Sequence, residues 1–144
     1  MTEVDAHAPM SAQDSIHIAA PVEKVWASLT DIARWPEWQA PVSSATMDGE
    51  LAPGTVFRWK AKGMGITSTL RDVEPPSRVS WTGDSLGMRA IHVWQLEPEG
   101  DGTRVTTMES MSGWLTRLVK LFSPRFLTQS MAESLQSLKR RAEQ

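Results

Sequence analysis

Near the end of the chain the apolar residues fall on a helical period. Between Ser123 and Ala142 they stand at Leu127, Met131, Leu135, Leu138 and Ala142, at steps of four, four, three and four. That spacing puts them on one face of an α-helix. Ser123-Pro124 reads as its N-cap and first helical position, where proline's missing N–H is not needed. The expected helix has ~19 residues and is ~28 Å long at ~1.5 Å per residue. Its opposite face carries Arg125, Gln129, Glu133, Gln136, Lys139 and Arg140. A terminal amphipathic helix of this length needs a wide apolar surface to lie on.

The preceding chain is patterned to supply one. Residues 1–13 show no period and read as a flexible N-terminal arm. Asp14 to Ala19 alternates, with Ile16 and Ile18 on one side, as a first strand does. Pro21 then opens a helix with apolar Val22, Val25, Trp26, Leu29 and Ile32. Thr30-Asp31 caps a second short helix that should stop at Trp35-Pro36, because a residue before proline avoids the α region. From Val42 to Gly113, short alternating runs are separated by turn signals such as Asp48-Gly49, Pro53-Gly54, Pro75-Pro76 and Gly100-Asp101-Gly102. This pattern predicts six antiparallel strands in meander order, near 42–48, 55–62, 65–74, 78–83, 88–97 and 103–111. Residues 113–122 have helical spacing but are apolar over much of their circumference. They could be a buried turn, a lid or a contact patch.

Composition narrows the class. A chain of 144 residues with 22% charged and 40% hydrophobic residues fits one globular domain, here 14–142. The net charge of −2 argues against a nucleic-acid partner. The one basic run, Lys139-Arg140-Arg141, complements the dipole at the end of the last helix. With no cysteine, disulfides and thiolate metal sites are excluded. No apolar run reaches the ~18 residues of a transmembrane segment, and no signal peptide is visible, so a cytoplasmic location is expected. His7 and His17 lack carboxylate-rich neighbours, so no metal and no cofactor is expected. Seven Trp beside three Phe and no Tyr is unusual. It suits either a generous core or an aromatic-lined cavity.

The order of elements, with Ala20-Pro21-Val22-Glu23-Lys24-Val25-Trp26, Ile32-Ala33-Arg34-Trp35-Pro36-Glu37-Trp38, Gly54-Thr55, Val73-Glu74-Pro75-Pro76, Gly102-Thr103-Arg104-Val105-Thr106 and Leu135-Gln136-Ser137-Leu138-Lys139, resembles the polyketide cyclase/dehydrase-like branch of the START (SRPBCC) superfamily. The resemblance spans residues 14–142. It implies an α+β helix-grip fold: a curved seven-stranded antiparallel sheet wrapped around a long C-terminal helix, with two short helices after the first strand. It also implies a cavity for lipid-, polyketide- or aromatic-like molecules, and it carries no catalytic residue over to this chain.

Strand alternation and turn positions name the cavity wall. They pair Leu96 with Val105, Trp94 with Thr107 and His92 with Glu109. They also pair Trp81 with Ala90, Val79 with His92, Val73 with Val79 and Arg71 with Trp81. The face toward the helix then holds Trp59, Trp81, Trp94, Leu96 and Met111, with the ionisable Arg71, His92 and Glu109 and the hydroxyls of Thr69 and Thr107. Leu127 and Met131 approach from the helix. An apolar wall with a few convergent polar groups suits a small hydrophobic ligand. His92 steadied by Glu109 is a candidate catalytic pair, and Arg71 a candidate anchor or oxyanion partner. Against this, a His–Glu pair can satisfy itself within a core, and Arg71 can stack on Trp81. Three functions follow: binding of a small hydrophobic molecule; cyclase/dehydratase chemistry; or a membrane or protein contact through 113–122. Homodimer formation is left open.

Overall fold

The computed structural model describes residues 1–144. Seven strands form one antiparallel sheet: β1 Met10–Ile18, β2 Val42–Met47, β3 Val56–Ala61, β4 Met64–Glu74, β5 Arg78–Ser85, β6 Met88–Glu99 and β7 Gly102–Ser112. Their spatial order is β1-β7-β6-β5-β4-β3-β2, so β2 to β7 are a meander and β1 adds to its far edge. The crossing from β1 to the opposite edge is made by helix α1, Val22–Thr30, and a 3-10 turn, Ile32–Glu37. Helix α2 is Trp114–Phe122, and helix α3, Phe126–Ala142, lies against β1 and α1. This is the helix-grip arrangement. No helix is long and apolar enough to cross a membrane.

Helix α3 buries Leu127, Met131, Leu135, Leu138 and Ala142, the stripe read from the sequence. Its start differs. Ser123 donates its N–H to the Val119 carbonyl at 2.7 Å and so closes α2, and Phe126 donates to the Ser123 carbonyl at 3.0 Å. Ser123 to Arg125 is therefore the elbow between two helices rather than the first turn of one.

The N-terminal arm is another correction. Strand β1 begins at Met10, not Asp14, because Met10 pairs with Met111 and is buried. From Ser11 to Ser15 only the small Ala12 is apolar, which hides the period, since most of this edge strand is exposed. The residues before it cross the outer face of the sheet. Thr2 donates its N–H to Asp72 Oδ2 at 2.9 Å, Asp5 donates to Ser110 Oγ at 3.0 Å, and Arg78 donates to the Thr2 carbonyl.

Register explains which side chains face α3. The β6–β7 pairing is as expected: His92–Glu109, Trp94–Thr107 and Leu96–Val105. The β5–β6 turn is tighter than expected, since Ser85 pairs with Met88. Trp81 therefore faces His92, and Val79 faces Trp94. Each moves by two positions, so the faces are kept. Strand β4 does change face. Val73 pairs with Val79 and Leu70 with Trp81, with a β-bulge between them. The extra residue inverts the alternation upstream. Ile66, Ser68 and Leu70 turn inward, and Thr69 and Arg71 turn outward. Polar bonds pin the bulge. Asp72 donates its N–H to Ser80 Oγ at 3.0 Å, and that hydroxyl donates to Asp72 Oδ2 at 2.6 Å. The Arg78 guanidinium lies 3.5 Å from the same carboxylate oxygen. Burial opposes the Asp72 charge, but the bonds from Ser80 and Thr2 and the Arg78 guanidinium outweigh it and hold the carboxyl below its ordinary range.

Core packing is divided. One cluster joins Trp26, Leu29, Ile32, Trp35, Phe57, Leu70, Val79, Trp81 and Leu96 with Leu135, Leu138 and Ala142 of α3. A smaller one joins Met10, Met88, Met111 and Leu127, with Leu115 and Val119 of α2 against it.

Asp72→Asn should cost about 3 kcal/mol in urea unfolding, because it leaves the buried Arg78 without its counter-charge. Arg71→Ala should fall within ~0.5 kcal/mol of the parent, as an exposed outer-face position does. Equal losses for the two would contradict the bulge.

Candidate ligand cavity

Between the two clusters the space under α3 is hollow. A cavity of about 350 Å³ lies there, a size in the ~300–1,000 Å³ range of small-molecule sites. The sheet supplies Trp59, Ile66, Ser68, Trp81, Ala90, Trp94 and Met111, and α3 supplies Leu127, Ser130, Met131 and Ser134. Trp35 closes one end.

The 3-10 turn fixes that indole. Trp35 donates Nε1–H to the Leu29 carbonyl at 2.9 Å, which satisfies its only polar atom. Its ring meets Phe57 edge-on at 5.6 Å, Trp59 edge-on at 5.2 Å and Trp81 at a tilt at 5.5 Å. Trp59 in turn donates Nε1–H to Ser68 Oγ at 3.1 Å, a contact that exists only because the bulge turns Ser68 inward. Lys62, at the tip between β3 and β4, donates to Ser130 Oγ at 2.9 Å and sits 4.7 Å over the Phe126 ring. These contacts tie the hairpin to α3 across the cavity mouth.

The polar focus of the wall is His92 with Glu109, cross-strand partners that both line the cavity. The imidazole is held between Trp81 and Trp94, 5.1 Å from each ring. Its Nε2 lies 2.7 Å from Thr107 Oγ1, whose hydroxyl also lies 3.3 Å from the Val93 carbonyl. Both bonds are made together only if the hydroxyl donates to the carbonyl and accepts from Nε2–H. The Nδ1 lone pair then faces Glu109 Oε1 at 3.6 Å, too far for a good hydrogen bond. Burial pulls the His92 pKa down to about 3 and pushes that of Glu109 up to about 7. Near neutral pH the imidazole is therefore uncharged, and Glu109 is poised between its acid and its carboxylate.

Of the residues named from sequence, His92, Glu109, Trp59, Trp81, Trp94, Met111, Leu127 and Met131 line this cavity. Thr107 does not; it is fully buried behind the imidazole and orients it. Arg71 and Thr69 lie outside on the sheet's other face, and Arg71 donates Nε–H to Thr82 Oγ1 at 3.3 Å. The bulge that displaces them has no signal in the alternation of β4. It also hid Ile66 and Ser68. Trp35 was legible as the end of a short helix but not as a wall, since its role depends on where the crossing lands.

A helix-grip domain with an indole-walled cavity and one buried acid–imidazole pair is the class these observations define. The chain belongs to the polyketide cyclase/dehydrase and lipid transport family, whose profile matches residues 9–143. No curated protein matches it by sequence. Solved structures share its fold. A hypothetical protein from Helicobacter pylori is 17% identical with a TM-score of 0.85, over 99% of this chain and 97% of that one. The Zhui aromatase/cyclase from a Streptomyces species is 14% identical with a TM-score of 0.80, over 93% of each chain. A Thermus thermophilus protein is 20% identical with a TM-score of 0.78, over 92% of this chain and 97% of that one.

The two shifts act on stability in opposite pH windows. The raised Glu109 pKa imposes no cost below about 4.5, and stability is lost as pH rises through about 7. The lowered His92 pKa imposes no cost above about 6.5, and stability is lost as pH falls toward 3. Glu109→Gln should therefore match the parent at acid pH and exceed it by up to about 3 kcal/mol above neutrality, at ~1.4 kcal/mol per pK unit. Urea titrations across pH check this. A gain that is the same at every pH would contradict the assignment.

Proposed function

We propose that the chain binds a small, mainly apolar, ring-containing molecule between the sheet and α3. The indoles and methionines of the wall take its rings, and His92 and Glu109 meet its polar group. One observation carries this reading: the domain leaves about 350 Å³ unfilled beside its tryptophans, although close packing is the norm for protein interiors. Membership of a family described by polyketide cyclisation and lipid transport supports it.

A second reading, cyclase or dehydratase chemistry, draws on Glu109 and on the fold shared with the Zhui aromatase/cyclase. Abstraction of a proton beside a carbonyl works best with a base whose pKa lies near the working pH. Glu109 meets that condition, whereas His92, near 3, is the weaker base. The imidazole, with Nε2–H given to Thr107, then offers its Nδ1 lone pair to a hydroxyl at the substrate's polar end. Arg71 takes no part, because it lies outside the cavity.

The binding reading predicts that the uncharged fluorophore N-phenyl-1-naphthylamine saturates one site on the full chain. Ala90→Phe, which puts a ring into the cavity, should weaken that binding at least about tenfold, while Arg71→Ala leaves it unchanged. Binding untouched by Ala90→Phe would remove the cavity from consideration. For the enzymatic reading, turnover of a poly-β-ketone substrate should show an apparent pKa near 7 that disappears in Glu109→Gln. Turnover that Glu109→Gln leaves intact would end that reading.

A further inference from the structure

Helix α2 carries a feature that the cavity does not use. Its inner side, Leu115 and Val119, packs on the methionine cluster, of which Met88, Met111 and Leu127 line the cavity. Its outer side presents Trp114, Leu118, Leu121 and Phe122, exposed by 59%, 44%, 72% and 78%. These four recur at helical spacing, so they form one stripe. Leu86, 75% exposed, sits at the β5–β6 turn next to it. The stripe is held in place. Leu115 donates its N–H to the Gly87 carbonyl at 3.0 Å. Gly113, at φ +107°, allows the approach, since a Cβ there would lie 2.4 Å from that same carbonyl oxygen.

Charge identifies the occupant. Between Ser110 and Ala132 the chain has Arg117, Lys120 and Arg125 and not one Asp or Glu, although its net charge is −2. All three cations are exposed, and none makes a salt bridge. A second copy docked by two-fold symmetry would set this cationic rim against itself. An anionic lipid surface meets both parts: acyl chains take Trp114, Leu118, Leu121 and Phe122, and headgroups take the cations. We propose that α2 and the adjoining Leu86 turn dock on anionic bilayers, with the apolar stripe at the headgroup–acyl boundary. Docking is independent of what the cavity holds. If the cavity binds an apolar ligand, as proposed above, docking also brings the methionine side of its wall toward the phase in which such ligands dissolve.

The full chain should co-sediment with phosphatidylcholine vesicles containing about one third phosphatidylglycerol, and at least about tenfold less with pure phosphatidylcholine. Leu121→Glu should reduce the anionic binding at least about tenfold. Lys120→Glu should reduce it about fivefold or more, as expected for ~1 kcal/mol per basic residue at such surfaces. Salt near 1 M, where the Debye length is ~3 Å, should weaken it too. A urea unfolding midpoint for Leu121→Glu equal to the parent's reports separately that the fold persists. Failure of the parent chain to bind anionic vesicles would overturn the proposal. So would binding indifferent to Leu121→Glu, or a solution dimer that Leu121→Glu dissociates while vesicles are ignored.

Discussion

The structure depends on where the Trp35 indole lands. The chain leaves β1 at one edge of the sheet and must reach β2 at the other, and the 3-10 turn in that crossing delivers this ring beneath the strands. Its N–H is satisfied locally by Leu29, so burial leaves no polar debt. Its faces and edges meet Phe57, Trp59 and Trp81. Aromatic pairs of this kind contribute ~0.5–1.5 kcal/mol each beyond their buried area. The ring thus fixes the crossing to two strands, β3 and β5, and it is at once core and cavity wall. Packing on one side of Trp35 is dense, and on the other side it stops.

That stop gives the pair on β6 and β7 its character. A charged imidazole or carboxylate in a solid core would be expelled or fully paired. Here His92 and Glu109 keep 13% and 19% of their side-chain surface accessible, toward the hollow they line, while the surrounding indoles deny them bulk water. Each is driven toward its neutral form. The pair is thus polar without being an ion pair, and an apolar molecule with one hydroxyl or carbonyl can approach it without displacing a counter-ion.

The fold was largely legible because its signals are local and repeated. The stripe from Leu127 to Ala142, the meander turns, and the pairing of His92 with Glu109 each follow from spacing within a few residues. The cavity was half legible. Strands β5, β6 and β7 alternate without interruption, so Trp81, Trp94, His92, Glu109 and Met111 could be placed by parity. Strand β4 could not. One extra residue near Asp72, stabilised by Ser80 and Arg78 on the next strand and by Thr2 from the start of the chain, exchanges its two faces. Arg71 and Thr69 go out, and Ser68 and Ile66 come in. The outer-face partners that secure this exchange lie on β5 and at Thr2, so no window of β4 alone contains them.

The amino-terminal residues give the molecule a mechanical link between its two sides. Thr2 holds the carboxylate that sets the sidedness of β4, from the face opposite the cavity. Thr2, Ser80 and Arg78 all meet on Asp72 outside, while Leu70 and Ser68, two and four positions before it, face inward. The inward row of β4 is thus set by polar bonds made entirely on the sheet's other side.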